Sequence, residues 1–223
     1  MRGRPTVVLT ISRQLGSGGS YIGQAVASRF GMRYADRDIL QRAARTAGVK
    51  EDELAAAEEN VPGFWESVLH SFSMGAPDAT FVPPALPATY TANLFRLEGM
   101  IIQEIADRFD AVIVGRAGFH VLAGRPNVVN VMVHAATARR ATRVMELYGT
   151  STVEEAEALI ERSDQQRAQF IHRFTGKRWD DPRLFDLCID TGATGLETAT
   201  EIVATLVGSR LGRRWRGAHA PEG

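Results

Sequence analysis

A short apolar run, Val7-Val8-Leu9-Thr10-Ile11, enters the turn Ser12-Arg13-Gln14-Leu15-Gly16-Ser17-Gly18-Gly19-Ser20, and a helical pattern through Ile22, Val26 and Phe30 follows at once. This order of strand, glycine turn and helix is the most restrictive feature of the chain, because it suits an α/β sheet with the turn at a strand's carboxyl end. The usual phosphate cradle of this kind, G-x-x-x-x-G-K-[ST], wraps phosphate oxygens in backbone N–H groups and adds a lysine and a hydroxyl. On that frame Gly16, Gly18 and Ser20 fall on the turn glycines and the hydroxyl, Arg13 falls on the first glycine and Gly19 on the lysine. The backbone from Gly16 through Ser17, Gly18, Gly19 and Ser20 to Tyr21 is therefore the expected anion binder, at a helix N-terminus whose dipole favours negative charge. Arg13 is the candidate for the missing positive charge, its planar donor fork being suited to phosphate; otherwise it is a solvated side chain. Ser20 is expected to hold Mg²⁺, or else to cap the helix.

The remaining apolar runs, at 32–35, 111–114, 128–133 and 185–190, alternate with helical patterns and read as continuous rather than alternating. That pattern belongs to a parallel sheet covered on both faces. Gly31 is a suitable cap for the first helix. A helix is expected from 91 to 109, with Leu94, Leu97, Ile101, Ile105 and Ala106 on one face, and a closing helix over 196–211. Between them lie an acidic, alanine-rich stretch at 48–60 that suits a short solvated helix, and an irregular stretch at 61–90 with five prolines and Phe64, Trp65, Phe72 and Phe81. The chain of 223 residues suits one domain with an insert, carries 26 basic and 26 acidic residues, and so has no global field to draw nucleic acid or an anionic membrane. No apolar run approaches the roughly 20 residues of a membrane span. The single cysteine, Cys188, lies in an apolar run where buried packing is expected, forms no disulfide or metal set, and favours a cytoplasmic location.

Three further groups join the turn. Asp36-Arg37-Asp38 through Arg42 follows the second strand, and Gly115-Arg116 follows the third. Ligands of open α/β sheets lie beyond the carboxyl ends of the strands, so both groups are directed toward the crevice of the glycine turn. Asp36 is a candidate for Mg²⁺ or for orienting an acceptor, Asp38 reads as a helix cap, and Arg116 can fork onto a phosphate. The third group, Arg162-Ser163-Asp164-Gln165-Gln166-Arg167, places two arginines five apart, about 140° around a helix, so they converge only if the helix breaks or closes over the site. Such charge runs are commonly solvated faces, but phosphoryl transfer needs cations that close over the reacting group.

Ser12 to Gly19 resembles the lysine-less Ser-Arg-Gln-x-Gly-Ser-Gly-Gly turn of the cytidylate kinase-like branch of the nucleoside monophosphate kinases. Asp36 and Arg42 match the ends of that family's Asp-Thr-Gly-Ala-Met-Tyr-Arg, Gly115-Arg116 matches the centre of its Asp-Gly-Arg-Asp, and Arg162 to Arg167 echoes its arginine-rich lid. Trp179-Asp180-Asp181-Pro182 and Phe185 to Thr191 are also similar to the stretch ahead of its last strand. The resemblance implies a P-loop kinase fold with a five-stranded parallel sheet in the order 2-3-1-4-5 and helices on both faces. It implies a single domain over 1–210, an acceptor-binding insert at about 36–110, a lid at about 160–183 and a basic flexible tail at 211–223. It also implies ATP on the glycine turn and phosphoryl transfer to a monophosphate acceptor. It does not itself imply cytidine; the expected activity is ATP-dependent transfer, with Mg²⁺ as cofactor, to a nucleoside monophosphate such as CMP or dCMP. Arg42 and Arg116 would hold the acceptor phosphate, and Arg162 and Arg167 would neutralise charge beside Arg13. Two alternatives keep the fold: a kinase of another small-molecule acceptor, and a module that binds nucleotide without catalysis.

Overall fold

The computed structural model describes residues 6–36 and 92–212. Five parallel strands form one sheet: β1 (Val8–Arg13), β2 (Arg33–Ala35), β3 (Ala111–Val114), β4 (Val128–His134) and β5 (Leu187–Asp190), in the order β2-β3-β1-β4-β5. The expected strand order is thus the observed one. β1 is central, pairing Ile11 with Val114 on one side and with Val131 on the other. Its glycine turn consequently opens between two neighbouring strand ends, at the position where the strand order reverses.

The helices follow from where the apolar side chains must go. α1 (Gly19–Phe30) buries Ile22, Val26 and Ala27 on the face formed by Leu9, Ile11, Val112, Val114, Val129, Val131 and Val133. A closing helix, Leu196–Arg210, covers the same face through Ala199, Val203, Ala204 and Val207. The other face receives α2 (Ala92–Arg108), which buries Leu97, Ile101, Ile102 and Ile105 against Val8 and Ile113. Gly31 ends α1 with φ 65°, its N–H directed to Ala27 O and Ser28 O, as glycine caps do.

After β3 comes one short turn of helix, α3 (Gly118–Val121). After β4 come α4 (Thr137–Tyr148) and the long α5 (Val153–Thr175). Thr152 begins α5 by accepting the Glu155 N–H at 3.2 Å, and Glu155 returns a carboxylate to the Ser151 N–H at 2.8 Å, a reciprocal cap. α6 (Thr191–Thr194) starts directly from β5 with the Asp190 carboxylate over the Gly192 and Ala193 N–H groups, and α7 is the closing helix 196–210. The four-residue helices α3 and α6 are too short for any sequence periodicity to announce them, and of the two only α6 has a side-chain cap.

One expectation fails. Cys188 is exposed rather than buried, because β5 is an edge strand and of its four residues only Ile189 reaches the core. No helix among the described residues is long and apolar enough to cross a membrane. The expected helices after Asp36 and at 48–60, the aromatic stretch at 61–90, residue Arg42 and the tail beyond Gly212 lie outside the described residues.

Candidate functional site

The glycine turn is built so that its carbonyls face the scaffold. Gln14 O accepts the Ser17 N–H at 3.2 Å and the Ser17 hydroxyl at 2.8 Å. Leu15 O accepts Arg140 Nη1 at 3.3 Å, Gly16 O accepts Arg143 Nη1 at 2.9 Å, and Ser17 O accepts the Thr191 hydroxyl at 2.7 Å. Gly18 O takes the first helical bond, from the Ile22 N–H at 3.0 Å. With every carbonyl from Gln14 to Gly18 engaged, the N–H groups of Gly18, Gly19 and Ser20 at the start of α1 are left for a ligand, since a helix satisfies none of its first donors internally. Gly16 and Gly18 hold φ of 76° and 83°, a region in which L side chains are strained. Gly18, not Ser20, is the N-cap, and no side chain caps α1; the Ser20 side chain lies against the Tyr34 phenol instead.

Two helices hold this turn from outside. Asp164 on α5 accepts the Leu15 N–H at 3.1 Å and pairs with Arg140 of α4 at 2.6 Å, so Leu15 has both its peptide groups held by side chains. Leu15 also packs with Ala141, Val144, Ala156 and Ile160 of the same two helices. Burial lowers the pKa of Arg143 from the ordinary guanidinium range, with Glu146 acting the other way. Arg140, Arg143 and Asp164 hold the turn, a role the sequence reading assigns to none of them, although Asp164 lies inside the Arg162–Arg167 group it names. The only signal available was helical spacing of Arg140 and Arg143, which reads equally as a solvated basic face.

Arg13 leaves the end of β1 on the side of β3. A Cβ placed on Gly115 would fall on Arg13 Nη1, and one placed on Gly19 would lie 2.5 Å from Arg13 Cβ. Burial lowers the Arg13 pKa, opposed by the nearby Tyr34, Asp36 and Tyr148 and reinforced by Arg116. Tyr34 lies next to Ser20 and Gln24, and burial, with Asp36 adding to it, raises its phenol pKa. Tyr148 is also raised by burial, with Arg167 and Arg13 close enough to oppose the shift. Arg13, Ser20, Asp36 and Arg167 therefore lie near one another at the carboxyl ends of β1 and β2, with the Arg116 turn beside Arg13.

The β3 turn is different in kind. Gly115, Arg116 and Ala117 hold φ of 83°, 52° and 55° in succession, and each non-glycine residue in this region costs about 1–2 kcal/mol. Arg116 is buried, donates to Glu98 of α2 through Nε at 2.6 Å, and forms an ion-pair contact with the same carboxylate oxygen through Nη2. Its guanidinium also lies 4.6 Å from the centroid of the Phe170 ring. Phe170 belongs to an aromatic group in which Phe95 stacks on Phe174 at 4.8 Å.

α5 does not break between its two expected cations. Arg167 donates to Ser163 Oγ at 2.7 Å and lies 3.4 Å from Asp164, while Arg162 is exposed. The helix brings Arg167 to the crevice and leaves Arg162 outside it. An ATP-bound magnesium ion needs only one or two protein oxygens because phosphates and water supply the rest, and the Ser20 hydroxyl and Asp36 carboxylate provide oxygens of that kind. Among the described residues no cluster of three or more His, Cys, Asp or Glu could hold a metal alone.

The sequence profile of a family described as "Cytidylate kinase-like family" matches residues 8–193. A search of curated proteins returns no match. Among solved structures, an uncharacterized protein from Eubacterium ventriosum ATCC 27560 superposes with a TM-score of 0.66 at 18% identity, over 92% of this chain and 99% of that one. A shikimate kinase from Acinetobacter baumannii in complex with shikimate gives 0.47 at 12% identity, covering 92% and 95%. A gluconokinase from Sinorhizobium meliloti 1021 gives 0.47 at 16%, covering 93% and 97%. The first of these likenesses bears on the fold.

Proposed function

Because the chain belongs to the cytidylate kinase-like family, we propose that it transfers the terminal phosphoryl group of Mg-ATP to a nucleoside monophosphate such as CMP or dCMP. The observation that carries this reading is the donor turn, whose carbonyls are tied to the scaffold while the first N–H groups of α1 are left for an anion. A turn held in this way meets the phosphates without reorganising, which is where electrostatic stabilisation is most effective.

In this mechanism the Gly16 to Tyr21 backbone binds the donor phosphates, and Arg13 and Arg167 supply charge beside the transferring group. Ser20 and Asp36 would hold the magnesium ion, which supplies charge neutralisation on the phosphates. Arg116, with Gly115 beneath it and Arg42 from outside the described residues, would grip the acceptor phosphate, and Arg162 would join only through movement of its helix. An ionised phosphate acceptor has no proton to lose, so no general base is required, and positioning carries the rate. The Arg116–Glu98 pair favours a second reading, since an acceptor phosphate must compete with a carboxylate already in place; a different small-molecule acceptor would not rely on Arg116.

A coupled assay of ADP release across CMP, dCMP, UMP, AMP and GMP tests the proposal. Turnover is expected with a cytidine monophosphate, and Arg116→Ala should raise the acceptor KM roughly 10- to 100-fold, the loss of a charge-assisted bidentate contact. Nucleotide binding without turnover of any monophosphate would overturn it, ADP release only with a small-molecule acceptor that is not a nucleotide would favour the second reading, and CMP turnover unaffected by Arg116→Ala would remove Arg116 from the acceptor site.

A further inference from the structure

We infer that Arg13 and Gly19 are a reciprocal exchange of the small and cationic positions of the usual phosphate cradle, moving the cation from the helix start to the junction between the donor and β3 turns. The inference deepens the proposed function and rests on it for the catalytic half alone. Positions 13 and 19 share one space: a Cβ on Gly19 would lie 2.5 Å from Arg13 Cβ and 3.0 Å from Arg13 Cγ. Neither is the far end of a flexible chain, so only one of the two positions can carry a long side chain.

Gly19 does not owe its identity to backbone geometry. Gly16, Gly18 and Gly115 all have positive φ, whereas Gly19 does not and is the first residue of α1. Glycine in a helix is unfavourable relative to alanine, so the position is one where space outweighs helix propensity. The space is taken by Arg13, and the guanidinium it carries points away from α1. Its Nη1 lies where a Gly115 Cβ would be, over the β3 turn and within electrostatic reach of Arg116, Tyr34 and Asp36.

Arg116 adds to the electrostatic cost of the Arg13 charge while its own guanidinium is paired with Glu98, and an anion in the crevice relieves the repulsion felt by Arg13. A lysine at the helix start would reach the β and γ phosphates from the donor side; an arginine at this junction addresses the phosphoryl group between donor and acceptor. As the acceptor oxygen bonds to the γ phosphorus, the bond from that phosphorus to the β,γ-bridging oxygen breaks, and its electron pair leaves with ADP. The Arg13 fork is placed to neutralise the oxygens of the group in flight, which predicts an effect on kcat rather than on ATP binding.

The test is a cycle of Arg13→Gly, Gly19→Lys and the double variant, with Arg13→Lys and Gly19→Ser added as milder probes. Melting temperature, ATP affinity by calorimetry, and kcat and KM for the monophosphate are measured for each. Arg13→Gly should lower kcat about 100- to 1000-fold, the loss expected for one preorganised donor to the transition state, with ATP affinity changed by less than about threefold. Arg13→Lys should recover only part of that rate, because it lacks the fork. Gly19→Lys alone should melt well below the natural protein, and Gly19→Ser somewhat below it. The double variant should regain the melting temperature lost by Gly19→Lys and exceed the kcat of Arg13→Gly.

A double variant no more stable than Gly19→Lys would overturn the exchange, as would a Gly19→Lys protein as stable as the natural one. Undiminished kcat in Arg13→Gly would overturn the assigned role of the guanidinium. If the natural protein turns over no acceptor, the proposed function falls on that result, while the melting temperatures still decide whether positions 13 and 19 are reciprocal.

Discussion

The turns that follow β1 and β3 lie side by side at the carboxyl end of the sheet and solve the same problem in opposite ways. The β1 turn reaches positive φ only at Gly16 and Gly18 and fixes its carbonyls with Arg140, Arg143 and Thr191. The β3 turn places Arg116 and Ala117 in the left-handed region and is held by the buried Arg116–Glu98 pair and the Phe170 ring. The first turn costs little backbone strain and is directed outward, toward a ligand; the second stores strain and turns its cation inward, toward a carboxylate. Strain of this kind persists only where the surroundings over-determine it. The comparison teaches that one turn places glycine at its left-handed positions and is tied by its peptide groups to neighbouring helices, whereas the other forces non-glycine residues into that region and is tied by one side chain to the helix packed on it.

The sharpest break of that contrast is Glu98→Ala. Removing one member of a buried pair strands the other charge, and a loss of about 3–5 kcal/mol is expected in urea unfolding. A loss below about 1 kcal/mol would mean that the β3 turn supports itself. Gly16→Ala comes next: its Cβ would lie 2.8 Å from Arg140 O and 2.9 Å from Val144 Cγ2 at φ 76°. Overpacking and the left-handed backbone together cost about 2–4 kcal/mol, and calorimetry should show ATP affinity falling with stability. The smallest effect, and the one of opposite sign, belongs to Ala117→Gly. Relief of its φ of 55° should raise stability by up to about 1 kcal/mol, net of glycine's greater freedom in the unfolded chain. Denaturant unfolding that shows a loss instead would place the strain of the β3 turn elsewhere.

The same contrast explains what could be read in advance. The bounds of most described elements and the glycine turn were legible, because apolar runs and glycine spacing are local signals; the strand order came from the family resemblance, since no local pattern orders strands. Glu98 was not, since the stripe Leu97, Ile101, Ile105 reads as apolar and gives no reason to bury the carboxylate beside it. Asp164 and Arg140 were not, because their shared partner is a peptide group about 125–150 positions earlier in the chain. Cys188 was misread because an apolar run does not reveal whether its strand has a neighbour on both sides. Arg162 and Arg167 were paired by charge, and the unbroken α5 separates them.

The hold of Asp164 and Arg140 on Leu15 has a consequence for motion. With both sides of that peptide fixed, the segment of α5 near Asp164 and the donor turn form one mechanical body with α4. Closure over a bound nucleotide therefore cannot pivot at Asp164 without breaking these bonds. Gly176, which ends α5 with φ 67° and has nothing within 4 Å of where a Cβ would stand, lies outside that body and is a position where the backbone can turn without a side-chain clash.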